Sequence, residues 1–151
     1  MPTSNDSSHP GDSRLKVEDL QVYYFTNRGR VRAVDDISFE ISGNESIGIV
    51  GESASGKSTL GAAIIRSINP PGKILKGKIY VNGKNVLDFS ESNFNRNMRW
   101  KRIAVVFQGA MNSLDPVYRI SEQLRELMQE HKIKGDHEKF IYQALTDVGL
   151  D

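Results

Sequence analysis

Residues 51–58 read Gly-Glu-Ser-Ala-Ser-Gly-Lys-Ser, a complete Gly-x-x-x-x-Gly-Lys-Ser pattern. The apolar run Ile47–Val50 precedes it, and Leu60, Ala63, Ile64 and Ile68 follow at helical spacing until Pro70, Pro71 and Gly72. Strand, glycine-rich loop and helix in that order are the context a phosphate-binding P-loop requires. The bare pattern arises by chance in on the order of 1% of chains this long, and the flanking periodicity lowers that further. Glycines at 51 and 56 let the backbone wrap closely enough for successive N–H groups to face phosphate oxygens. The helix N-terminus adds partial positive charge at the same place. In such a loop Lys57 is placed to reach the β and γ phosphates, Ser58 offers a hydroxyl to Mg²⁺, and Thr59 is an additional phosphate donor.

The rest of the chain supplies strands and helices around this loop. Leu15, Val17, Leu20 and Val22 lead into Tyr23-Tyr24-Phe25, a polar turn follows at 27–30, and Ile37, Phe39 and Ile41 alternate with polar residues. That pattern predicts a hairpin with one wet face. Ile47–Val50 and Ile103–Phe107 are short apolar runs suited to strands buried on both faces. Lys76–Val86 predicts a second hairpin turning at Asn82-Gly83. Residues 88–102 are polar with a helix over part of them, and 109–119 read as loop. Leu124, Leu127, Met128 and His131 mark one helical stripe, and a further helix starts near Asp136 and carries Phe140, Ala144, Leu145 and Val148.

Composition narrows the chemistry. The 151 residues include 20 Lys+Arg, 19 Asp+Glu and no cysteine. A net charge of +1 gives no global footprint for nucleic acid. The cluster Arg96, Arg99, Lys101 and Arg102 beside Trp100 reads as a solvated helix face rather than a nucleic-acid surface. Without cysteine there is no disulfide, thiolate nucleophile or thiolate-bound metal, and His9, His131 and His137 are scattered. No run approaches the length of a membrane span, so any membrane association is expected through a partner. Residues 1–13 read as a disordered polar tail without the features of a secretory signal.

Several families use a P-loop. The Asp-x-x-Gly and Asn-Lys-x-Asp sequences of GTP switch proteins are absent, and small nucleotide kinases lack hairpins before and after the loop. From about Leu15 to Asp151 the sequence resembles the nucleotide-binding subunits of ABC transporters, above all those of dipeptide and oligopeptide importers. The similarity rests on the 15–25 stretch, Ala33-Val34-Asp35-Asp36-Ile37-Ser38-Phe39, Gly48–Thr59, Arg99–Gln108 and Met111–Val117.

The resemblance implies an α/β fold: a P-loop NTPase core with an N-terminal antiparallel β subdomain and the start of a helical subdomain, truncated. The β subdomain and core are expected over about 14–108, and a glutamine loop with the first helices over 109–151. It implies ATP and Mg²⁺ held by Gly51, Glu52, Ser53, Ala54, Ser55, Gly56, Lys57, Ser58 and Thr59. An aromatic residue stacks on adenine, with Tyr24 the best match and Tyr23 or Phe25 the alternatives. Gln108 corresponds to the glutamine that contacts Mg²⁺ or the attacking water. The implied partners are a second, related but non-identical ATP-binding subunit and transmembrane permease subunits, contacted near Gly109–Pro116, at the cytoplasmic face of the membrane. The implied work is peptide uptake driven by ATP.

Three elements that such an ATPase uses are not in these residues: an apolar strand ending in Asp-Glu, a Leu-Ser-Gly-Gly-Gln-like signature, and a later histidine that senses the γ phosphate. The run Val86-Leu87-Asp88 is too short for the first. The expectation is therefore a chain that binds ATP without hydrolysing it alone, with exposed strand edges and a tendency to aggregate. The alternatives are a non-catalytic nucleotide-binding or regulatory module and an inactive remnant.

Overall fold

The computed structural model describes residues 13–109 and 114–150, so the expected tail up to residue 12 and the stretch 110–113 lie outside the described residues, while Ser13 of that tail opens the first strand. The chain divides into two units, Met1–Val105 and Val106–Asp151.

The first unit is built on a four-stranded antiparallel sheet of order β2-β1-β3-β4. Strands β1 (Ser13–Thr26) and β2 (Gly29–Ser42) form the expected hairpin, with Tyr24 opposite Val31 and Val17 opposite Phe39. Thr26 fastens the turn: its hydroxyl donates to the Gly29 carbonyl at 2.8 Å and accepts from the Arg28 amide at 3.3 Å. Strand β3 (Gly72–Val81) pairs with the other edge of β1 and starts earlier than the pattern at Lys76 suggests. It turns into β4 (Lys84–Asn85) through Asn82 and Gly83 at φ 47° and 74°, the left-handed pair that a tight hairpin turn demands.

The β1 ladder is interrupted between Glu18 and Gln21, where Asp19 takes φ 46°. The Asp19 amide donates to the Ser38 hydroxyl at 2.8 Å. Opposite it, Gly77 sits at φ 105°, and a Cβ there would fall 2.6 Å from the Glu18 carbonyl oxygen. Only glycine lets the two backbones approach this closely.

Helix α1 (Lys57–Ile64) and helix α2 (Glu91–Asn97) complete the unit, with a 3-10 turn at Val86–Asp88. The core joins Val17, Leu20, Val22 and Val34 of the hairpin to Ile79 and Val81 of β3, Leu60 and Ala63 of α1, Val86, Phe94 and Met98. Burying each large apolar side chain stabilises the fold by about 1.5–3 kcal/mol. Helix α1 stops before Ile68 because Arg66 leaves the helical conformation at φ 54°. Its guanidinium donates to the carbonyls of Val86 and Phe89 at 3.2 and 2.8 Å and lies 4.8 Å from the Phe94 ring centre. The helix end is thus drawn toward α2 by hydrogen bonds and cation–π attraction.

Two expected strands are corrected. Residues 45–50 form no strand, and Ile47, Ile49 and Val50 are 52%, 46% and 93% exposed. In the second run only Ile103 makes an isolated bridge, to Arg99, while Val106 and Phe107 stand exposed. A run apolar on both faces becomes a strand only when neighbours pair with its edges and cover its faces, and among the described residues no strand does so.

In the second unit, helices α3 (Ile120–Glu130) and α4 (His137–Asp147) are joined by a turn containing Gly135 at φ 119°. Asp136 caps α4, accepting from the amides of Glu138 and Lys139. Met128 and Ile141 are buried, whereas Leu127 and Phe140 of the expected stripes are about half exposed. Arg125 pairs with Glu138 across the two helices. Among the described residues no helix is long and apolar enough to cross a membrane.

Candidate nucleotide-binding site

Residues 51–56 run as an irregular loop, turning at 53–56, into the first residue of α1. Ala54 at φ 63° and Gly56 at φ 92° are left-handed, which curls the loop back on itself. The loop is held in that shape from within. The Lys57 ammonium donates to the carbonyls of Gly51 at 2.8 Å and Glu52 at 2.6 Å and to the Ser55 hydroxyl at 3.1 Å. Among the described residues, the only loop amide with a hydrogen-bond acceptor is that of Ser55, bonded to the Glu52 carbonyl at 3.3 Å. The first amides of α1 have no intrahelical acceptor by the nature of a helix start. No side chain caps this helix, and its first turn carries no acidic residue. The result is a curved row of N–H donors beside an ammonium group, with no carboxylate in the first helical turn to compete for it.

A second contact sets the loop against the sheet. The Gly56 Cα faces the Ala33 carbonyl of β2 so closely that no side chain fits there. The adjoining cleft, of about 570 Å³, is bounded by Arg32, Asp35 and Ile37 of β2 on one side and by Gly51, Ser55 and Lys57 on the other. The contribution of β2 is missing from the sequence reading. In the sequence these residues appear only within the Ala33–Phe39 stretch that carries the family resemblance, with no sign that they flank the loop.

Asp35 is organised by two partners. The Tyr23 hydroxyl donates to it at 2.5 Å, and Arg32 donates at 3.3 Å while lying 5.7 Å from the Tyr23 ring centre. The Tyr23 hydrogen bond, helped by Arg32, holds the Asp35 carboxyl below the usual carboxylate range. The same bond raises the Tyr23 phenol above its ordinary value.

Among the three aromatic candidates, Tyr23 is buried and committed to Asp35, and Phe25 is 45% exposed. Tyr24 is partly buried and faces Gly72, where a Cβ would come within 2.7 Å of its ring. Tyr24 does not line the cleft beside the loop. Gln108 belongs to the second unit, exposed in a turn with Gly109 at φ 75°.

Gly51–Thr59 therefore stand together on one loop and helix start, with Tyr24 on β1 and Gln108 in the other unit. A curled glycine loop entering a helix is the shape of a phosphate-binding P-loop, and the family match makes the chain a P-loop NTPase. The chain matches the ABC transporter family over residues 34–151, and it belongs to that family. It is 38% identical over 130 residues to the dipeptide transport ATP-binding protein DppD of Caldanaerobacter subterraneus, covering 86% of this chain and 40% of that protein. It is 37% identical over 138 residues to the oligopeptide transport ATP-binding protein OppD of Salmonella typhimurium, covering 91% of this chain and 41% of that protein. Against the dipeptide transport ATP-binding protein DppD of Escherichia coli the identity is 37%, over 90% of this chain and 42% of the relative. The chain thus spans about 40% of the length of these relatives.

Proposed function

We propose that this chain is the phosphate-binding portion of an ATP-binding subunit that powers peptide uptake. The observation that carries this reading is the Lys57 clamp inside a loop whose amides, apart from that of Ser55, have no acceptor among the described residues. A phosphate group entering the loop exchanges three neutral acceptors on Lys57 for charged oxygens, and charge-assisted bonds are roughly twice as strong as neutral ones. The amides of Gly51–Thr59 then close around the anion, and the α1 dipole favours it.

The residues present suit Mg²⁺-ATP. Ser58 is exposed in the first turn of α1, and its hydroxyl is the hard oxygen ligand that Mg²⁺ prefers. When bound, the ion neutralises phosphate charge. Gln108 is the second protein ligand by family correspondence, and Tyr24 the adenine platform. Peptide transport is the function named for the relatives, which supports a peptide permease and a second ATP-binding subunit at the cytoplasmic membrane face as partners. Because the sequence lacks the Asp-Glu strand, the signature and the sensing histidine, the 151-residue polypeptide alone binds nucleotide without turning it over.

Calorimetric titration of the chain and its Lys57→Ala variant with Mg²⁺-ATP tests this reading. The expected result is saturable binding weakened at least about tenfold in the variant, with no phosphate release from either. Equal affinities refute the phosphate role of Lys57, and Lys57-dependent phosphate release refutes the catalytic half of the proposal.

A further inference from the structure

A second cleft lies on the first unit and shares no residue with the one beside the P-loop. Its volume of about 790 Å³ lies within the range of about 300–1,000 Å³ usual for small-molecule sites. Three cations line it: Arg14 from β1, Lys84 from β4, and Arg102 beyond α2. Among the described residues none of the three takes part in an ion pair, and no carboxylate lines the cleft. Elsewhere on this unit Lys16, Arg32, Arg66, Lys76 and Arg99 pair with acidic side chains, while cations such as Lys73 and Lys78 form no ion pair among the described residues, so what marks the cleft is three cations lining one concavity without a carboxylate. The chain as a whole carries a net charge of only +1, so the excess of positive charge lining this cleft is local.

The remaining lining suits a small anion. Asn93 and Asn97 stand on successive turns of α2, and the Asn97 amide donates to the Asn93 carbonyl oxygen. That fixes both side chains and leaves the Asn93 NH₂ group as a neutral donor. Val81 and Met98, both nearly fully buried, form an apolar floor. Three like charges around one concavity repel one another, and an anion placed among them removes that cost.

We propose that this cleft is a second anion site, formed by Arg14, Lys84 and Arg102 with Asn93, that takes a small phosphorylated or polycarboxylate molecule independently of the P-loop. The three cations come from three separate elements, so an occupant ties the β3–β4 hairpin and the residues after α2 to β1. Because all three cations are exposed, binding is sensitive to salt.

Pyrophosphate titrated calorimetrically into the Lys57→Ala chain, in which the P-loop is disabled, tests the proposal. One-to-one saturable binding is expected to persist there. It should weaken about tenfold for each of Arg14→Gln, Lys84→Gln and Arg102→Gln. Asn97→Asp, which places a carboxylate in the cleft at nearly constant shape, should weaken it similarly while the circular dichroism spectrum is unchanged. Absence of saturable binding in the Lys57→Ala chain overturns the proposal, as does an affinity indifferent to the Gln variants and to Asn97→Asp. Sedimentation with phosphatidylglycerol vesicles separates a free anion from a lipid headgroup: retention that depends on the same cations, without pyrophosphate binding, overturns the small-anion assignment. The Gln variants also report on the cleft in the wild-type background, so failure of the P-loop reading is distinguishable from failure of this one.

Discussion

A Cβ built on Gly56 would stand 2.0 Å from the carbonyl oxygen of Ala33, so loop and sheet meet here through bare backbone. Gly56 also holds φ 92°, a conformation that side chains disfavour. Gly56→Ala should therefore move the loop off β2 and cost about 1–3 kcal/mol of stability. Nucleotide affinity should fall at least about tenfold, because the amides lose their common focus. Urea unfolding and calorimetry of one variant measure both effects, and a variant with unchanged affinity contradicts the placement of the loop.

The Tyr23–Asp35 bond makes a prediction in pH. Asp35 titrates lower in the folded chain than unfolded, so its contribution is complete above the ordinary carboxylate range and is lost as pH falls through the lowered value. Tyr23 titrates higher when folded, so its contribution is complete below the ordinary tyrosine value and is lost as pH rises through the raised one. The urea midpoint difference between wild type and Tyr23→Phe should be constant between about pH 5 and 9 and shrink on either side. A difference that grows toward acid or alkali is the contrary result.

Phe94 is 1% exposed and carries the guanidinium of Arg66 on its ring. Phe94→Ala should destabilise the first unit by about 3–5 kcal/mol, combining lost burial with a cavity. Chemical denaturation followed through Trp100 fluorescence reads this directly. A loss below about 1 kcal/mol would mean that α2 does not depend on the core for its position.

Asp136 accepts from two amides at the start of α4, at 3.1 and 3.3 Å. Asp136→Ala should cost about 1 kcal/mol, and Asp136→Ser should recover most of it. Amide hydrogen exchange at Glu138 and Lys139 should quicken in the alanine variant alone.

How far the sequence reveals this molecule depends on the range of the forces involved. The Asn82-Gly83 turn, the β1–β2 hairpin and the Asp136 cap are legible because their determinants lie within a few residues of each other. Ile47–Val50 and Ile103–Phe107 carry strand-like composition, but pairing is a property of neighbours that composition cannot supply. The early end of α1 escapes for the same reason, since Arg66 is turned by carbonyls about 20 residues further along the chain. In the candidate site the loop is legible as a motif. The Arg32 and Asp35 wall is not, because the hairpin, rather than any local pattern, brings it beside Lys57.

The close approach of Gly77 to the Asp19 bulge also limits how the sheet can assemble. A slip of β3 by two residues would preserve the inward and outward alternation of its side chains, and hydrophobic patterning alone would accept it. Such a slip brings Leu75 or Ile79 to the place now held by Gly77, against the Glu18 carbonyl oxygen and the Leu20 Cα at 2.6 Å. Misaligned pairings are thus rejected at a single residue, and the strand that leads to the Asn82-Gly83 turn has one docking position rather than a family of near-equivalent ones.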